Sequence, residues 1–114
     1  MVANETESRD VVEKLAGMIG HDYVITDAAD REFYAMDVYN SRELPLAVVQ
    51  PGSLSDMVEI AKLAAVEGVA MVPRGGGASY TDAYLPATAR SFLIDTSRMN
   101  RILEINEEDM YVTV

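Results

Sequence analysis

Along the first third of the chain, apolar positions are spaced for helices; afterwards they come in short runs cut by Gly, Pro and Asp. Val12, Leu15, Ala16 and Ile19 share one helical face, with Ser8 placed to cap it and Gly20 to stop it. Tyr23, Val24 and Ile25 form a run too short to assign. Asp27 and Asp30 resemble a capping pair for a short helix closed by Phe33 with Met36 or Asp37. A polar connection, Asn40 to Glu43, then leads to Pro45.

From Pro45 the pattern sharpens. Leu46, Ala47, Val48 and Val49 read as a strand ending at Gln50-Pro51-Gly52. Ser53 with Asp56 predicts a capping box for a helix whose face is Leu54, Met57, Val58, Ala61, Ala64 and Ala65, ended by Gly68. A second strand follows over residues 69–73. Strand, helix and strand make a βαβ unit, which predicts parallel strands and a right-handed crossover. After an irregular stretch through Pro86, Ser91 to Asp95 reads as a third strand. Ile102 to Ile105 and Met110 to Val114 read as two more around the turn 106–109. The fold class expected is α+β, a small βαβ unit with additional strands. The last strand has nothing after it to cover it, so a cut through a larger protein is expected there.

Composition narrows the chemistry. A chain of 114 residues has room for one small, thin-cored domain. Its net charge of −10 leaves no basic stripe to displace counterions, which argues against nucleic acid as a partner. Without cysteine there is no disulfide frame, thiolate nucleophile or cysteine metal site, and no metal site is expected. No stretch approaches the ~20 apolar residues of a membrane span. Asn4, Glu5 and Glu7 do not make the basic start of a signal peptide. A cytoplasmic location is therefore expected, with peripheral membrane attachment of a larger parent left open.

The richest local feature is Arg74-Gly75-Gly76-Gly77, directly after the strand 69–73. Residues without Cβ atoms let the backbone turn tightly and offer N–H groups to something that comes close, typically a phosphate or diphosphate. A Walker loop is excluded, because Ala78 and Ser79 follow Gly77 where lysine and serine or threonine are needed. The dinucleotide fingerprint is excluded as well: the glycines are contiguous and no helical period follows before Pro86. Arg74 has two readings, a phosphate counter-ion or a packed stem whose head pairs with a carboxylate.

Three segments carry a resemblance: Ala47-Val48-Val49-Gln50-Pro51, Val72-Pro73-Arg74-Gly75-Gly76-Gly77-Ala78-Ser79 with a proline at Pro86, and Asp95-Thr96-Ser97-Arg98-Met99-Asn100-Arg101-Ile102. In this order the run from Pro45 to Val114 resembles the first part of the FAD-binding domain of FAD-linked oxidases. That family has the vanillyl-alcohol oxidase fold and includes D-lactate dehydrogenases and the flavin subunit of glycolate oxidase. The resemblance divides the chain into an N-terminal helical segment, 1–44, and the first part of the FAD-binding domain, 45–114, within a larger two-domain flavoenzyme. It implies FAD, bound non-covalently, with Arg74, Gly75, Gly76, Gly77, Ala78 and Ser79 at the pyrophosphate and Pro51 beside the adenosine end. Relatives that attach flavin covalently use a histidine in this loop, whereas the sole histidine here, His21, lies outside it and reads as a surface or capping residue.

Two positions depart from the family pattern: Asp82 stands where relatives commonly have glycine, and Ala78 where they usually have threonine. An aspartate ~4 Å from a phosphate would cost roughly 4 kcal/mol at an effective dielectric of ~20. Several charge-assisted amide bonds at ~1.5–3 kcal/mol each outweigh that. Weaker FAD binding, not its loss, is the expectation, with Asp82 facing solvent or paired with Arg74.

The resemblance implies an FAD-dependent oxidoreductase acting on a D-2-hydroxyacid such as lactate or glycolate by hydride transfer to the flavin. No catalytic residue can be named within this stretch; Tyr80 and Tyr84 lie near the loop but read as packing or hydrogen-bonding groups. The alternative is a non-catalytic binding module of the same ancestry. The chain alone is expected to be inactive, and to self-associate if Met110 to Val114 ends in an open edge.

Overall fold

A computed structural model describes residues 5–38 and 42–114. Its main sheet has four strands in the order β1 (Val24–Ile25), β2 (Ala47–Val49), β4 (Ser91–Asp95) and β3 (Ala70–Arg74). β2, β4 and β3 are mutually parallel, and β1 adds antiparallel to β2 at one edge. The two strands of the expected βαβ unit are thus parallel, but β4 lies between them. That central place explains its five-residue buried run: a strand covered on both faces carries no polar alternation.

Among the described residues three α-helices cover the sheet. Helices α1 (Glu5–Ile19) and α3 (Leu54–Glu67) lie on one face, where Leu15, Ile60, Ala47, Val49, Phe92 and Ile94 belong to one buried cluster. Helix α2 (Ala28–Tyr34) leads into the smaller cluster of Ala35, Val48 and Leu93, with Tyr34 and Ile25 packed on it. Ala47 and Val49 thus go to one face and Val48 to the other, the period of two that a strand imposes. Lys14 of α1 donates to Glu67 of α3 at 2.5 Å, tying the two helices at the surface. A second sheet, the antiparallel hairpin of β5 (Glu104–Asn106) and β6 (Tyr111–Thr113), stands apart from the first.

Several local expectations hold. Ser53 Oγ accepts from Asp56 N at 3.1 Å, and the Asp56 carboxylate accepts from Gly52 N at 2.8 Å. Asp27 caps α2 through Ala29 N and Asp30 N. Gly68 ends α3 in the left-handed region.

Others shift. Helix α1 begins at Glu5, so Ser8 lies inside it and does not cap it; Glu5 and Glu7 sit in its first turn, where negative charge complements the helix dipole. Val11 is buried there while Val12 is only half-buried. Helix α2 ends at Tyr34, with Phe33 exposed and Ala35 buried. Helix α3 keeps Ala64 and Met57 of the expected face on the core but is rotated about them: Ile60 is buried, whereas Leu54, Val58, Ala61 and Ala65 are exposed. Residues 40 and 41 of the connection 40–43 fall outside the described residues.

Candidate functional site

The parallel strands β2, β4 and β3 end level with one another, since Val49 pairs with Ile94 and Arg74 with Asp95. Three loops leave this edge, beginning at Gln50, Gly75 and Thr96. The carboxyl edge of parallel strands is where open α/β sheets hold ligands, because the loops diverge there. These loops contain the three segments singled out in the sequence.

Buried polar contacts lock the edge. Asp95, 3% exposed at the end of the central strand, accepts from Gln50 Nε2 at 2.8 Å and from Ser97 N and Oγ at 3.1 and 2.9 Å. Thr96 donates through N and Oγ1 to the carbonyl of Arg74, at 3.1 and 3.3 Å. Arg98 donates to the carbonyl of Gln50 at 2.6 Å and lies over the ring of Tyr23. Its guanidinium also rests on Gly52, where a Cβ would fall 2.6 Å from a nitrogen. Each loop is therefore bonded to its neighbour, and the edge is held as a unit.

Within the glycine loop the backbone is the available chemistry. Among the described residues no amide of residues 75–79 donates to a protein acceptor. Gly75 and Gly76 are exposed, and beyond its chain neighbours a Cβ on either would meet nothing within 4 Å. Gly77 differs. Its φ of 72° is in the left-handed region, and a Cβ there would run into the Arg74 guanidinium. Tyr84, 5% exposed, donates its hydroxyl to the Gly77 carbonyl at 3.0 Å, the bonding role expected of it. Consecutive free amides on an exposed, side-chain-free turn fit an anion with several oxygens, the donor set a diphosphate needs. The residues present therefore fit the FAD pyrophosphate.

The remaining expected residues divide. Ala78 is exposed beside the glycines, and Ser79 Oγ accepts from Thr81 N at 3.2 Å. Pro51 is fully buried, so it sets the course of its loop and presents no surface. Arg74 meets neither sequence reading in simple form. Among the described residues it has no carboxylate partner; its Cζ lies 5.2 Å from the ring centroids of both Tyr34 and Tyr84. Asp82 pairs with Arg42, not Arg74, at 2.6 Å, and has φ 58°, a backbone position suited to glycine. His21 is at the surface, 3.4 Å from Glu13.

Sequence reasoning missed Tyr34 and Arg42. Nothing in the local pattern links either to a loop some forty residues away. Asp95 and Gln50 were within reach: a polar residue directly after a buried apolar run marks the end of a strand.

Comparison with known proteins adds an independent line. Residues 45–114 match the family described as FAD binding domain. The chain is 42% identical over 93 residues to D-2-hydroxyglutarate dehydrogenase of Escherichia coli (strain K12), covering 78% of this chain and 9% of that protein. It is 30% identical over 108 residues to glycolate oxidase subunit GlcD of Bacillus subtilis (strain 168), covering 94% of this chain and 23% of that protein. In fold it is similar to 4-ethylphenol oxidase from Gulosibacter chungangensis, solved in complex with isoeugenol. The TM-score is 0.82 at 28% identity, covering 96% of this chain and 22% of that one. The chain thus spans less than a quarter of the length of each of these proteins.

Proposed function

The chain belongs to the family of FAD binding domains, and from that membership we propose that it holds the pyrophosphate of FAD in an oxidoreductase acting on a D-2-hydroxyacid or glycolate. The observation that carries the reading is the row of amides over residues 75–79 that, among the described residues, find no acceptor, beside open Gly75 and Gly76. Gly75, Gly76, Gly77, Ala78 and Ser79 supply the anion contacts, and Pro51 and Arg74 shape the loops that bring them together. Bound FAD would accept a hydride from the substrate carbon, and the chain's own part is to bind and orient it. The substrate class is supported by relatives named for D-2-hydroxyglutarate and glycolate. The reading keeps the cytoplasmic location expected from the sequence. No residue of this chain is assigned to proton transfer, and turnover is not expected of it alone.

The Arg42–Asp82 pair weakens one of the two features that favour the non-catalytic alternative, Asp82, the other being the part of the flavoenzyme that this stretch does not include. A carboxylate already paired with a guanidinium repels a nearby phosphate far less than a free one. Calorimetric titration of the chain with FAD and with riboflavin tests the proposal. FAD should bind and riboflavin, lacking the diphosphate, should bind far more weakly. Equal affinity for both, or none for either, would refute a diphosphate cradle.

A further inference from the structure

Arg74 closes β3 and opens the glycine loop, and its side chain folds back over that loop. Its Nε is buried without a hydrogen-bond partner. Its guanidinium stacks between Tyr34 from α2 and Tyr84 from the far end of the loop. The same group covers Gly77, the one loop glycine whose Cβ position is blocked. Tyr84, one of the stacking rings, also holds the Gly77 carbonyl. The Arg74 carbonyl is in turn fixed by both Thr96 donors. Residue 74 is thus anchored at its backbone and spends its head on Gly77 and two rings.

We propose that Arg74 is the positioning residue of the glycine loop: stacked between Tyr34 and Tyr84 and laid on Gly77, it fixes the turn from the protein side without pairing with the ligand. A guanidinium suits this because it is planar, weakly hydrated and presents a face to each ring. A counter-ion to the diphosphate would instead reach over Gly76, yet no Arg74 atom lies within 4 Å of that Cβ position, and the head lies on Gly77. Lysine keeps the charge but cannot cover Gly77 and both rings at once, so Arg74→Lys is not a conservative change here. The consequence for FAD rests on residues 75–79 being the diphosphate cradle; the clamp itself does not.

The test uses the 114-residue chain with Arg74→Lys, Arg74→Met and Tyr84→Phe, read by backbone order parameters without ligand and by FAD titration. Gly77 and Ala78 should have order parameters of ~0.8 in the unsubstituted chain, falling below ~0.6 in both Arg74 variants and by a smaller step in Tyr84→Phe. The FAD dissociation constant should rise about tenfold for Arg74→Lys and Arg74→Met alike. Unchanged loop order in Arg74→Met overturns the clamp. So does Arg74→Lys binding like the unsubstituted chain while Arg74→Met loses about a hundredfold, since that marks a counter-ion. If the unsubstituted chain ignores FAD, the cradle reading fails, and the order parameters still decide the clamp. Should Arg74→Met not fold, Arg74→Lys carries the same measurement, and unchanged loop order there overturns the clamp.

Discussion

At the residue scale, adjacent glycines make opposite predictions. Gly76 stands in open space, so Gly76→Val should leave thermal stability nearly unchanged, within about 0.5 kcal/mol, while FAD binding falls sharply because the side chain fills the cradle. Gly77 has positive φ and Arg74 above it. Gly77→Ala should destabilise by about 1–2 kcal/mol in urea unfolding, through backbone strain and displacement of the guanidinium. Equal effects of the two on stability would contradict the geometry of the loop. Asp82 gives a third case. Replacing it with glycine relieves a left-handed backbone at a cost of about 1 kcal/mol to aspartate, and loses an Arg42 pair worth about 0.2–1 kcal/mol. Asp82→Gly should therefore leave the melting temperature almost unmoved, and a fall of many degrees would mean that the ion pair holds far more than its half-exposed setting suggests.

At the element scale, helix α3 shows what the pattern carried and what it did not. Its ends were legible because caps are local: Ser53 and Asp56 act over three residues, and Gly68 acts on its own turn. Its inward face was legible only in Met57 and Ala64. Leu54, Val58, Ala61 and Ala65 compete with Met57, Ile60, Leu63 and Ala64 as apolar stripes, and nothing in the helix chooses between them. The sheet chooses, since β2 and β4 present Val49, Phe92 and Ile94 to Ile60. Ile60→Ala should then cost about 2–5 kcal/mol and Leu54→Ala less than about 0.5, a contrast that chemical denaturation reads directly. The reverse order would restore the face inferred from the sequence. Strand existence was similarly readable, because β4 is an apolar run bounded by turn residues, while its place between β2 and β3 depends on pairing that no local signal records. The candidate site divides in the same way. Its glycines announce themselves, but the Tyr34 and Arg42 contacts arise only when distant segments meet.

At the scale of the whole molecule, the outline is long: 54 × 33 × 22 Å, with a radius of gyration of 15.2 Å against roughly 13–14 Å for a compact domain near this size. The β5–β6 hairpin forms a sheet of its own. Its residues are exposed except for Asn106, including Ile105, Tyr111 and Val112, and Leu103 and Val114 beside them are exposed as well. Among the described residues the two strands pair only with each other, which leaves unpaired N–H and C=O groups along both outer sides. Such edges next to apolar side chains favour pairing with another strand. The net charge of −10 opposes it by repulsion between copies, and salt screens that repulsion within about 10 Å at 0.1 M. The chain is therefore expected to self-associate weakly, more at high salt than at low, with sedimentation showing a mass that rises with concentration. Ile105→Lys with Val112→Lys should restore a monomer at every salt concentration without lowering the melting temperature, because neither side chain is buried. A monomer at high concentration and high salt in the unsubstituted chain would show that the hairpin edge is protected by its own twist and charge.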